Sequence, residues 1–94
     1  MKVSLEELKT HLRVEHEEED AYLSMLLRVA EAAAEDFCKT TFKWSLPQPV
    51  RLAVLLHASH FYLYREESNE EAHKAMRQAF RALLWPYRNV TKLF

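Results

Sequence analysis

The sequence predicts an all-α fold, a small bundle of about four helices with an extended connector between the second and the third. Three observations carry this. The 94 residues contain no glycine, the residue that supplies positive φ in tight hairpins and bulges, so a hairpin-rich β fold is disfavoured. Four stretches repeat apolar residues at spacings of three and four, the period of one helical face. The alternating, strand-like run through Thr40, Thr41, Phe42 and Trp44 is too short to build a sheet. The length corresponds to one domain, residues 1–94, with about 86–94 as a C-terminal tail segment. At this size folding buries roughly 60–70% of the unfolded chain's surface, enough for a single core.

Helix 1, about 4–12, starts at a capping box in which Ser4 caps and Glu7 reaches back, with Val3 and Leu8 as a hydrophobic staple. Leu5, Leu8 and Leu12 line its inner face. Glu17, Glu18, Glu19 and Asp20 then fall in the expected first turn of helix 2, where the helix dipole favours carboxylates. A divalent metal site is the alternative for this run, but it lacks the alternating ligands and the glycine of a calcium loop.

Helix 2, about 17–38, confines its polar residues to one stripe, Ser24, Arg28, Glu31, Glu35 and Lys39. Almost everything else on it is apolar, far more than the arc of a little over 100° that one core needs. Such a helix is either central or faces a core on one side and a neighbouring subunit on the other. Tyr22, Met25, Val29 and Ala32 are the candidate subunit-interface residues.

The connector follows, its aromatics expected to plug the core. Pro47 and Pro49 mark the start of helix 3, where a missing N–H is harmless. Helix 3, about 48–66, carries 11 apolar residues among the 15 from Val50 to Tyr64 and is expected to be the most buried, with Arg51 and Arg65 reaching solvent. Helix 4, about 69–85, starts at a second capping box, Ser68 with Glu71. Ala72, Met76, Ala79, Phe80 and Leu83 form its inner face; Glu70, Lys74, Arg77 and Arg81 form its outer stripe.

Pro86 ends helix 4, since it forbids another turn. Leu83 and Leu84 are expected to close the core. Trp85, Tyr87 and Arg88 belong to residue types enriched in binding hot spots, and with Arg81 they are candidate partner-docking residues, a dock being favoured over a mere plug.

Little in the chain points to a reaction. Without glycine, no P-loop or Rossmann motif exists. His57 and His60 lie one turn apart on helix 3 but have no acidic neighbour there, so satisfied core histidines are expected rather than a metal site. His11 and His16 flank a loop. Cys38, the single cysteine, sits at a helix C-terminus, where the dipole raises a thiol's pKa; a buried structural cysteine in a reducing compartment is expected. No acid pair or triad emerges, so no enzyme, cofactor or metal is read. No signal peptide is visible ahead of helix 1, and no apolar run reaches the roughly 18 residues of a membrane span.

Net charge is −1 but unevenly placed: residues 1–47 carry −4 and residues 48–94 carry +3. The asymmetry suits head-to-tail association, with chance as the alternative. The cations Lys74, Arg77, Arg81, Arg88 and Lys92 form either a solvated face or phosphate contacts. Two further function classes therefore stay open, a small helical DNA-binding regulator using helix 4 and a helical protein-interaction module.

Three segments together resemble the small head–tail connector, or adaptor, proteins of long-tailed phages. The first is helix 1 with its His11-Leu12-Arg13-Val14 ending, the acidic run, and a long helix ending at Phe37. The second is the proline-led central helix, matched at Leu46, Pro47, Val50, Ala53, His60, Tyr62, Tyr64, Arg65 and Glu66. The third is the closing motif Leu83, Leu84, Pro86, Tyr87 and Arg88. The likeness spans about 5–90. It departs where that family often has a Thr-Gly-Arg turn and this chain has Lys39-Thr40-Thr41, and where a proline- and glycine-containing stretch would precede helix 4. The resemblance implies a non-enzymatic ring subunit of the virion, about twelve copies closed by heterologous contacts. The ring would assemble in the host cytoplasm and sit under the portal protein at the head–tail junction. It would extend the DNA channel without sequence-specific binding and carry a head-completion or tail protein.

Overall fold

The computed structural model describes residues 3–42, 46–65 and 69–88. Four helices follow in order: α1 (Leu5–Leu12), α2 (Asp20–Cys38), α3 (Gln48–Leu63) and α4 (Glu70–Leu84), the last continued by a 3-10 turn at Trp85–Tyr87. No strand forms among the described residues, so the all-α expectation holds. α2 and α3 pack side by side, α4 lies against α3, and α1 braces both α2 and α3. The fully buried side chains Leu8, Leu23, Cys38, Val50, Val54 and Leu84 come from all four helices, which makes one shared core.

The Cα trace measures 46 × 32 × 17 Å. A helix has a Cα radius of about 2.3 Å and packs about 8–10 Å from its neighbour, so 17 Å holds two layers of helices and no third. A helix buried on one face therefore has its opposite face open.

α1 begins as its capping box dictates. Ser4 Oγ accepts from the Glu7 N–H at 3.1 Å and Glu7 Oε1 accepts from the Ser4 N–H at 3.1 Å. Val3 and Leu8, the staple pair, are both buried. Arg51 Nη1 donates to both Glu7 carboxylate oxygens at 2.7 and 2.8 Å, locking the start of α3 to the start of α1. Arg51 is thus half-buried rather than solvated. The Ser4 N–H and then the Arg51 guanidinium hold the Glu7 carboxyl below its ordinary range.

With no glycine available, two helices end on charged residues in the left-handed region, Arg13 (φ 61°) and Lys39 (φ 58°). Both ends close as Schellman motifs. Val14 N–H donates to Lys9 O and Arg13 N–H to Thr10 O; Thr40 N–H donates to Glu35 O and Lys39 N–H to Asp36 O. A side chain in this conformation costs about 1–2 kcal/mol that glycine avoids. Lys39 is exposed, so Lys39→Gly is expected to stabilise the fold by about 1 kcal/mol and raise Tm by roughly 4–8 °C in a thermal melt.

Two boundaries differ from the sequence reading. α2 starts at Asp20, so Glu17 and Glu18 lie outside its first turn, and the capping-position residue Glu19 makes no side-chain cap bond. The acidic residues found better partners elsewhere. Glu19 accepts from the Tyr62 hydroxyl and from Arg65 Nη1, both at 2.6 Å, and Asp20 accepts from Lys9 Nζ at 2.7 Å. α4 is capped by Asn69, whose Oδ1 accepts from the Ala72 N–H at 2.9 Å, so the cap sits one residue later than Ser68; Ser68 itself lies outside the described residues. α3 is the most buried helix, as expected, with six of its 16 residues buried against six of 19 in α2, although Leu52 at 43% and Leu63 at 63% remain exposed. In the connector, Phe42 packs on the core as expected and Leu46 is buried beside it, while Trp44 lies outside the described residues.

Candidate assembly surfaces

α2 divides into three sectors. Leu23, Leu26, Leu27, Ala30, Ala34 and Cys38 face the core. The polar stripe is turned to structural use: Glu31 Oε2 accepts from the Val3 N–H at 3.0 Å, and Glu35 Oε2 from the Phe42 N–H at 3.3 Å. These carboxylates tie down the chain at the entry to α1 and at the exit from α2. The third sector, Met25, Val29 and Ala32, is turned outward, with Met25 48% and Val29 49% exposed. Tyr22, grouped with them from sequence, is half-buried instead. Its ring lies 6.5 Å from that of Tyr62, and the Arg65 guanidinium sits 5.2 Å from the Tyr22 ring centre.

The C-terminal segment mixes both roles considered for it. Leu84 is fully buried and its carbonyl accepts from Cys38 Sγ at 3.7 Å. Burial raises the Cys38 thiol pKa, which fits an inert structural cysteine. Trp85 is 60% exposed, one edge leaning on Phe37 at 6.4 Å. Tyr87 is half-buried against the core. Arg88 folds back. Its Nε donates to the Phe37 carbonyl at 3.0 Å, satisfying an orphan group in the last turn of α2, and its guanidinium lies 5.0 Å from the Phe37 ring and 5.5 Å from that of Trp85. Arg88 therefore latches the segment in the free chain, a use that sequence spacing does not show because its partner is 51 residues away. Arg81 is exposed on the same side of α4.

Between the end of α2, the middle of α3 and α4 runs a groove of about 270 Å³. Phe37, Phe61, Met76 and Phe80 give it apolar walls, and Arg77 and Arg81 stand at its edge. His57 and His73 also line it. His60 Nε2 and His73 Nδ1 share a hydrogen bond of 2.6 Å, joining α3 to α4, while the buried His57 Nδ1 has no hydrogen-bond partner. Among the described residues no group of three or more His, Cys, Asp or Glu could hold a metal ion.

Burial pushes the pKa of His57 and His60 down, and a neighbouring imidazole adds to this in each case, His60 for His57 and His73 for His60. Their unfolded-chain values are near 6.5. Protonation thus favours the unfolded chain, so this part of the stability is fully present above about pH 6.5 and is lost as pH falls through that value toward the lowered folded pKa. The carboxyls of Glu7 and Glu19, also lowered, act only in more acid solution, below about pH 4.3. A thermal melt series is expected to show Tm falling from pH 7 to pH 5, with a shallower fall in His57→Leu.

No described helix is long and apolar enough to cross a membrane. No curated protein and no solved structure matches the chain. A sequence model of the phage gp6-like head-tail connector protein family matches residues 2–88. That span takes in all four helices, the outward face of α2 and the closing segment through Arg88. With nearly the whole chain inside the match, the protein belongs to the phage gp6-like head-tail connector family.

Proposed function

We propose that the chain is the repeating subunit of a connector ring of about a dozen copies, closed by heterologous contacts. The ring docks beneath the portal of the phage capsid, extends the DNA channel and presents a platform to a head-completion or tail protein. Its place is the head–tail junction of the virion, reached after assembly in the host cytoplasm.

The observation that carries this reading is the outward apolar face of α2 on a slab only 17 Å thick, in a chain of the connector family. Two half-exposed aliphatic side chains a turn apart on a central helix are a surface awaiting cover. Met25, Val29 and Ala32, with Tyr22 at their border, make the subunit contact; Trp85 and Tyr87, held in place by Arg88 and preceded by Arg81, face the portal. DNA passes through without sequence reading. The charge of −1 and the mixed-sign surface of α4 suit a channel in which each phosphate contact would add drag.

Native mass spectrometry and negative-stain imaging at high protein concentration, alone and with the purified portal, test the proposal. Closed rings in either sample are the expected result. A chain that stays monomeric in both overturns it.

A further inference from the structure

We infer that the outward face of α2 in one copy docks into the α3–α4 groove of the next copy, a head-to-tail contact that rests on the ring reading. Both surfaces are apolar at the centre and charged at the margins, with opposite signs. Met25, Val29 and Ala32 have exposed acidic residues at either end, Glu17 and Glu18 before the helix and Asp36 within its last turn. The walls of the groove are Phe37, Phe61, Met76 and Phe80, bordered by Arg77 and Arg81. Lys74 continues the exposed basic row by one turn. Among the described residues none of Lys74, Arg77 and Arg81 has a carboxylate partner within its own chain. The halves of the sequence repeat the pattern, −4 in residues 1–47 and +3 in residues 48–94.

The same charges argue against a symmetric α2–α2 pairing. In an antiparallel pair Asp36 would meet Glu17 and Glu18, and Arg28, beside the middle of the stripe, would meet its own copy. In a parallel pair Asp36 would meet Asp36. Like charges set opposite one another disfavour both arrangements. The lengths agree as well. From Ala21 to Ala32 the exposed line runs about 17 Å, and α4 offers about 22 Å at 1.5 Å per residue. One copy can use both surfaces at once, because Phe37 projects from α2 roughly 80–140° around the helix from Met25, Val29 and Ala32. A contact that leaves both complementary surfaces free at the ends of a pair continues until the rotation closes a ring. The inference places Arg81 in the subunit contact and leaves Trp85 and Tyr87 for the portal.

Site-specific cross-linking tests it. Val29→Cys and Arg77→Cys each introduce one exposed thiol, and the native Cys38 is buried and unreactive. Treated with a short bis-maleimide under ring-forming conditions, a chain carrying both substitutions is expected to give a ladder of dimers, trimers and higher species. An equimolar mixture of the two single variants is expected to stop at dimers, and each single variant alone to stay uncross-linked. Dimers from Val29→Cys alone would show symmetric α2 pairing and overturn the inference. Rings that form, by native mass, without cross-linking in the double variant would overturn the pairing while sparing the ring reading. If no variant and no parent chain associates, with portal or without, the ring reading itself fails and the inference falls with it. To guard against loss of Arg77 as the cause of a negative result, the basic border is tested separately. Arg81→Glu is expected to weaken the assembly strongly; assembly unaffected by Arg81→Glu would contradict the docking.

Discussion

A chain carrying Met25→Glu and Val29→Lys is expected to fold as the parent does and to lose its capacity to associate. Both positions are about half exposed, and neither belongs to the buried core of α2. Glutamate and lysine are good helix formers, and a Glu followed four residues later by Lys adds a favourable pair of a few tenths of a kcal/mol. The melting temperature should therefore move by no more than a few degrees. In the assembly the same substitutions remove two aliphatic anchors and bury two charges. Together these weaken each subunit contact by about 4 kcal/mol or more, roughly a thousandfold. Sedimentation velocity with circular dichroism on the same sample reads both outcomes. A variant that assembles normally would remove α2 from the interface; one that unfolds would show that these side chains serve the monomer.

Leu84→Ala is expected to produce the largest loss of stability among substitutions in the closing segment. Leu84 is fully buried, and its removal leaves a cavity where α4 meets the end of α2. Leucine-to-alanine changes at such sites cost about 2–5 kcal/mol against a total of about 5–15 kcal/mol for a small domain, lowering Tm by about 10 °C or more. The adjacent Trp85→Ala removes a larger side chain that is 60% exposed. It is expected to change stability by no more than about 0.5–1 kcal/mol while weakening attachment to the portal. Thermal melts of the two variants together locate where the core ends and the proposed docking surface begins. Equal losses from both would contradict that boundary.

The parts of the fold that depend on neighbours in sequence were legible from sequence. The Ser4–Glu7 capping box, the Val3–Leu8 staple, the prolines at the start of α3 and the stop at Pro86 are local devices, and each appears in the structure. The parts that depend on distant partners were not. Glu19 looked like a first-turn carboxylate because Tyr62 and Arg65, its actual partners, are 43 and 46 residues away. Glu31 and Glu35 read as one polar stripe, yet their work is to hold the backbone at Val3 and Phe42. Asn69 and Ser68 are adjacent residues of similar capping strength, so composition alone did not choose between them. The width of the apolar arc on α2 was plain from its residues, and of the candidates Tyr22, Met25, Val29 and Ala32 the last three lie on the exposed side. That this sector faces outward follows from the arrangement of the other helices in a two-layer slab, which periodicity does not encode. Arg88 shows the same limit: its type suggested a contact with a partner, and its Phe37 carbonyl bond appears only once α2 and the closing segment are brought together.

In the assembled connector the outward face of α2 is expected to be covered by another copy. Methionine oxidation footprinting tests it most directly, because Met25 lies in that face and is 48% exposed in the free chain, while the half-buried Met76 in the groove provides a second reporter. Brief peroxide treatment followed by peptide mass spectrometry compares the monomer with the assembled ring. Met25 is expected to be oxidised readily in the monomer and strongly protected in the ring. Equal oxidation of Met25 in the two states would contradict it.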